Sequence, residues 1–203
     1  MTLHSASSLR SRSLIGAALA LLLSACGGGS SAASRANAGP AVATGLKYTN
    51  PAATGWRLEQ DPISTPTHLV LRLVGPSGTL TRGAAFNLQS DAAKMAWGKL
   101  NGLYVEDLGI FELAADPTDP NEPRLLVGGL KDGLLSVADL QKHAVYTAKE
   151  AGQPLFRVAI DFKASANLHA GDPIPLAVTK AKSLRDDFLS ETITPAAGSL
   201  VAQ

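Results

Sequence analysis

The chain has 203 residues, 45% of them hydrophobic and 17% charged, with a formal net charge of +1. Charge this close to neutral argues against nucleic acid, which calls for a basic stripe, and a single cysteine rules out an internal disulfide framework. Aromatics make up only 5%, so the core must be mostly aliphatic, and at roughly 100 to 200 residues per domain the length suits one domain beyond any leader.

Residues 1–25 read as an export signal. Arg10 and Arg12 form a positive start with no acid nearby, and the apolar run from Leu14 to Leu23 is well short of the roughly 20 residues of a membrane-spanning helix. Leu23, Ser24, Ala25 and Cys26 follow directly. This tetrad resembles the lipobox of bacterial lipoproteins, which implies cleavage before Cys26, lipidation of its thiol and two or three acyl chains, enough for stable anchoring. The alternative is an ordinary secretory leader that leaves Cys26 a free thiol. Gly27 stands where, in enteric-type bacteria, an aspartate would favour the inner membrane, so the resemblance implies an outer-membrane lipoprotein. Losing Arg10 and Arg12 takes two from the 18 basic residues, against 17 acidic ones, and leaves the mature chain at −1.

Residues 26–45 combine the lipidated cysteine with a Gly-, Ser- and Ala-rich tether, whose expected reach is roughly 25 Å for a flexible chain of that length. The domain is expected over 46–203. Within it the dominant signal is alternation with a period of two, interrupted by Gly and Pro. Leu69, Leu71 and Leu73 share one face of a strand, with His68, Val70, Arg72 and Val74 on the other. Phe86 and Leu88, then Met95 and Trp97, continue the pattern, with Ser90 or Asp91 capping a turn between them. Asp132-Gly133 predicts a tight hairpin turn. Ser136 to Gly152 departs from the pattern: Leu140, Ala144 and Ala148 recur near helical spacing, which predicts a short helix or helical loop near 136–151. Phe156, Val158, Ile160 and Phe162 then form one face of a long strand whose polar face should meet solvent, and Ile174, Leu176 and Val178 point inward from the next.

Many short strands and little helix predict an all-β antiparallel sandwich. The succession of Phe86 and Leu88, Leu126, Val158 to Phe162, Ala181 to Asp186 and Gly198 to Val201 resembles the running pattern of cohesin modules. That resemblance implies a jelly-roll sandwich, a fold cohesins share with carbohydrate-binding modules, and a protein-binding role, since cohesins bind dockerins.

Catalytic signals are sparse, so the reading is that of a non-enzyme. His68, His143 and His169 lack the spacing of a zinc site. Ser77, in Gly-Pro-Ser-Gly, lacks the spacing of a nucleophile elbow. Asp116, Asp119, Asn121 and Glu122 gather oxygen ligands of the kind calcium takes, but their spacing departs from the calcium loop, and a solvated acidic segment is the default. No cofactor is expected. Trp56 and Tyr104 are the candidate ligand-binding aromatics, while Trp97 reads as core. Three functions follow: an envelope lipoprotein binding another envelope protein, a glycan-binding lipoprotein, or a hydrolase.

Overall fold

The computed structural model describes residues 39–111, 124–142 and 146–203. In chain order the strands are β1 (Leu46–Thr49), β2 (Arg57–Gln60), β3 (His68–Val74), β4 (Leu80–Thr81), β5 (Gly83–Ser90), β6 (Met95–Gly98) and β7 (Glu106–Asp107). There follow β8 (Arg124–Lys131), β9 (Leu134–Gln141), β10 (Lys149–Glu150), β11 (Pro154–Phe162), β12 (Pro173–Ile174), β13 (Leu176–Leu184), β14 (Ser190–Thr192) and β15 (Ser199–Ala202). Among the described residues the one helical element is a 3-10 turn at Ala164–Ala166.

Two antiparallel sheets make the sandwich. The front sheet has the order β14-β13-β5-β9-β8, and the back sheet the order β2-β3-β11-β6, with β7 also paired to β11. A smaller sheet, β1-β15-β12, brings the first and last strands together. The core lies between front and back: Phe86 stacks on Phe156 with ring centroids 5.6 Å apart. Leu58, Leu69, Leu71, Val158 and Ile160 from the back pack with Ala84, Leu88, Leu135 and Val137 from the front. Full burial of such a side chain contributes about 1.5–3 kcal/mol, so alternation alone selects which face of each strand turns inward.

Tyr48 ties the edges. Its hydroxyl donates to the Leu58 carbonyl at 3.0 Å and accepts from the Gly198 amide at 2.6 Å. A Cβ at Gly198 would stand 1.9 Å from the Thr49 carbonyl oxygen, so only glycine lets β15 close against β1. Pairing also extends upstream of Leu46: Val42 bridges His169, and the Ala43 amide donates to the Leu168 carbonyl.

The expected alternations of β3 and β5 hold: Leu69, Leu71, Leu73, Phe86 and Leu88 are buried. The hairpin turns at Asp132 and Gly133, with φ of 51° and 79°, the positive values of a type I′ turn. Asp91 caps its turn by accepting the Ala93 amide.

Two expectations need correction, the first and third of those that follow, and the second holds only as far as a bulge. Residues 136–141, predicted to begin a helix, belong to β9, which pairs with both β5 and β8, and Lys149–Glu150 is strand β10. Residues 143–145 lie outside the described residues. The inward positions of β9 are Leu135, Val137, Asp139 and Gln141, so its period of two is disguised by two buried polar side chains. Second, the alternation of β13 breaks where its register to β5 shifts between Thr179 and Lys182. Lys180 takes a φ of 50° there, a bulge that turns Ala181 and Ser183 inward, while Ile174, Leu176 and Val178 before it pack inward against the core as expected. Third, the outer face of β11 is largely covered: Ala159 is fully buried with Val70 and Leu100, and Arg157 is engaged by acids described below.

Candidate protein-binding face

The outward face of the front sheet follows from register. Because Phe86, Leu88, Leu135 and Val137 face the core, the odd positions of β5 and β8 and the even positions of β9 face away. Cross-strand pairing sets them in rows: Leu125 beside Leu140 and Gly83, then Val127, Ala138, Ala85 and Lys182, then Gly129, Ser136, Asn87 and Thr179, and last Lys131, Leu134, Gln89 and Ala177. Leu125 and Val127 are 42% and 41% exposed. The side chains across the middle are small, so the surface is flat. Among the described residues its charges are cationic, Lys131 and Lys182 in the rows and Lys180 at the bulge, and no carboxylate stands in these rows. β8 also forms the edge of the sheet.

The outward face of the back sheet is built the opposite way. One row reads Glu59, Arg72, Arg157, Glu106 across β2, β3, β11 and β7. Arg57 and Arg72 reach Glu59 at 2.7 and 3.0 Å, and Arg157 reaches Asp61 at 2.8 Å and Glu106 at 3.2 Å. Burial alone would raise the Glu59 carboxyl, but hydrogen bonds from Arg57 and Arg72 outweigh it and hold it below its ordinary range. In the neighbouring rows Leu100 covers Val70 and Ala159, and His68 Nδ1 lies 2.5 Å from Asp161 Oδ1. The charges on this face are matched within it.

Between the sheets lies a polar cluster. Arg124 on β8 reaches Asp107 on β7 at 2.7 Å and Asp139 on β9 at 3.8 Å. Asp139 is fully buried, and neither carboxyl oxygen has a hydrogen-bond partner. Burial first, and the negative charge of Asp107 second, push its carboxyl up to about 8, so Asp139 holds a proton at neutral pH. The cluster therefore links the two sheets through one guanidinium and two carboxyl groups, of which Asp139 favours its protonated form. Arg124 already supplies the positive charge between the acids, so the cluster is no cation site.

The residues singled out from sequence are scattered. Trp56 is 9% exposed and packs in the core. Tyr104 is half-buried beside a groove that Trp56 does not line, so these two aromatics form no shared platform. Trp97, also 9% exposed, donates its ring N–H to the Gly133 carbonyl. His169 lies in an exposed turn near Asp172, and Ser77 lies in the turn after β3. Among the described residues no serine or threonine hydroxyl bonds the His68 ring. Cys26, His143 and the acidic set Asp116, Asp119, Asn121 and Glu122 lie outside the described residues. Sequence reasoning missed the flat front face; the signal it left is the run of Ala, Ser, Gly and Thr at outward positions, which gains meaning only once register aligns the strands.

No protein-family model matches the chain, and no curated protein sequence matches it. Solved cohesins are similar in fold. A type II cohesin domain from the cellulosome of Acetivibrio cellulolyticus superposes with a TM-score of 0.51 at 9% identity, over 72% of this chain and 94% of that one. A type II cohesin from a cohesin–X–dockerin complex of the same organism gives 0.50 at 9% identity, over 71% and 94%. A cohesin module of a family 33 glycoside hydrolase from Clostridium perfringens gives 0.45 at 10%, over 73% and 94%. Likeness at this identity establishes the fold: an all-β sandwich of the cohesin type.

Proposed function

We propose that the chain is a non-enzymatic binding module of the bacterial envelope, lipid-anchored in the outer membrane through Cys26, which engages another envelope protein through the outward face of the front sheet. The observation that carries the reading is the contrast between the faces. Matched ion pairs and Leu100 close the back; the front presents Leu125, Val127, Leu140, Ala138 and Ala85 with lysines that no carboxylate of the same rows neutralises. A flat, uncharged centre with a charged margin is the anatomy of a protein interface, and an exposed apolar patch on a folded domain marks one. The lysines at its margin select a partner with acids around its contact. One of the similar cohesins comes from a complex with an X–dockerin, which supports a protein partner for a sandwich of this shape. The anchoring rests on the leader and on Leu23 to Cys26.

The test is affinity capture from detergent-solubilised envelope with wild type, Ala138→Arg and Cys26→Ser. The proposal expects one reproducible partner whose recovery Ala138→Arg abolishes, and release of Cys26→Ser into the soluble periplasmic fraction. Recovery unaffected by Ala138→Arg would remove the front face from the account, and membrane pelleting of Cys26→Ser would remove the lipid.

A further inference from the structure

A groove of about 410 Å³ opens where β6 meets the tip of the β8–β9 hairpin, apart from the front face. Met95, Trp97 and Leu130 supply its apolar wall, and Tyr104, Gly133 and Lys163 complete it. Leu130 is 41% exposed there, so an apolar occupant would remove it from water. The volume lies within the range of small-ligand clefts, roughly 300–1,000 Å³.

Two lysines stand at the groove, Lys163 in its lining and Lys99 over its Tyr104. Lys163 donates to the Ala92 carbonyl at 2.9 Å, and the Lys99 ammonium sits 4.9 Å from the Tyr104 ring centre. Neither of these two lysines pairs with a carboxylate among the described residues: Asp91 accepts the Ala93 amide, and Asp161, which stands opposite Ala96, pairs with His68. The rings are poorly disposed for stacking a sugar: Trp97 is nearly buried with its N–H committed to Gly133, and Lys99 occupies one face of Tyr104. An apolar side chain needs only the hole.

We propose that this groove binds an acidic peptide segment through one large apolar side chain, seated against Met95, Trp97 and Leu130, with its flanking carboxylates held by Lys99 and Lys163. The site is independent of the front face.

The probe is a capped seven-residue peptide of aspartates and glutamates around a central phenylalanine, titrated by fluorescence anisotropy against the folded protein at moderate salt. Binding should weaken at least roughly tenfold when the phenylalanine becomes alanine, and again in Lys99→Glu/Lys163→Glu. A lysine-containing analogue should not bind. Both substitutions are at the surface, and an unchanged urea midpoint shows that the variant is folded; should it not be, Lys163→Gln alone gives the same reading at smaller effect. Failure to bind at millimolar peptide, equal affinity for the alanine peptide, insensitivity to the charge reversals, or preference for an acidic oligosaccharide would each overturn the proposal.

Discussion

The two outer faces of this sandwich solve the same problem in opposite ways. On the back, Glu59, Arg72, Arg157 and Glu106 stand in one cross-strand row, with Asp61 and Arg57 completing the pairs. On the front, the corresponding rows hold Ala85, Ala138, Ser136, Gly129 and Thr179. A sheet face meant only for water is well served by matched charges, which are soluble and discourage association. A face of small neutral side chains gains nothing from water and leaves its strands open to a partner. On the proposed function the back serves stability and the front recognition, and each half of that proposal can be broken separately.

The largest effect should come from the back. Arg157→Ala strips Asp61, 1% exposed, of its guanidinium. Breaking a buried pair from one side costs about 3–5 kcal/mol; since a quarter of the Arg157 side chain still meets solvent, about 2–3 kcal/mol is expected as a lower urea midpoint. Partner capture, measured where the variant is still folded, should persist.

A second effect, read as a dependence on pH and not as a midpoint at one pH, belongs to the seam. The Asp139 carboxyl is raised from an ordinary 3.8 to about 8 in the folded chain. Between those values the native state binds the proton and the unfolded state does not, so stability is greatest at the acid end and falls as pH rises toward 8. Asp139→Asn keeps a neutral group of the same shape; it should flatten this fall in urea titrations across pH and leave the variant more stable than wild type above pH 8. A parallel fall in both proteins would show that Asp139 is not the group responsible.

The least effect on stability should come from the front. Ala138→Arg and Thr179→Glu project outward and should change the urea midpoint by no more than about 0.5 kcal/mol, yet abolish or weaken partner recovery. Thr179→Glu tests the sign of the charge as well: it opposes an acidic partner, so it should hurt binding more than Thr179→Lys.

Legibility differed in the same way between regions. Strands β3, β5 and β11 and the Asp132-Gly133 hairpin announce themselves because their inward residues are large and apolar. β9 does not, since Asp139 and Gln141 occupy inward positions while Leu140 faces out, and the spacing of Leu140, Ala144 and Ala148 then imitates a helix. The break in β13 follows from the φ of Lys180, which side-chain pattern does not encode. The charge row of the back and the flat rows of the front both depend on register between strands far apart in sequence, so residues that look unremarkable singly, such as Ala85 and Ala138, become neighbours only after folding. Trp56 misleads in the other direction: a tryptophan beside turn residues suggests a platform, but its bulk is core. The proposed lipid site, by contrast, rests on the leader alone.

The most direct test of the central claim is photo-crosslinking in living cells, with a benzophenone side chain placed at Thr179 on the front or at Arg72 on the back. The account predicts one discrete crosslinked protein from position 179 and none from position 72. A crosslink from position 72 with none from position 179 would contradict it.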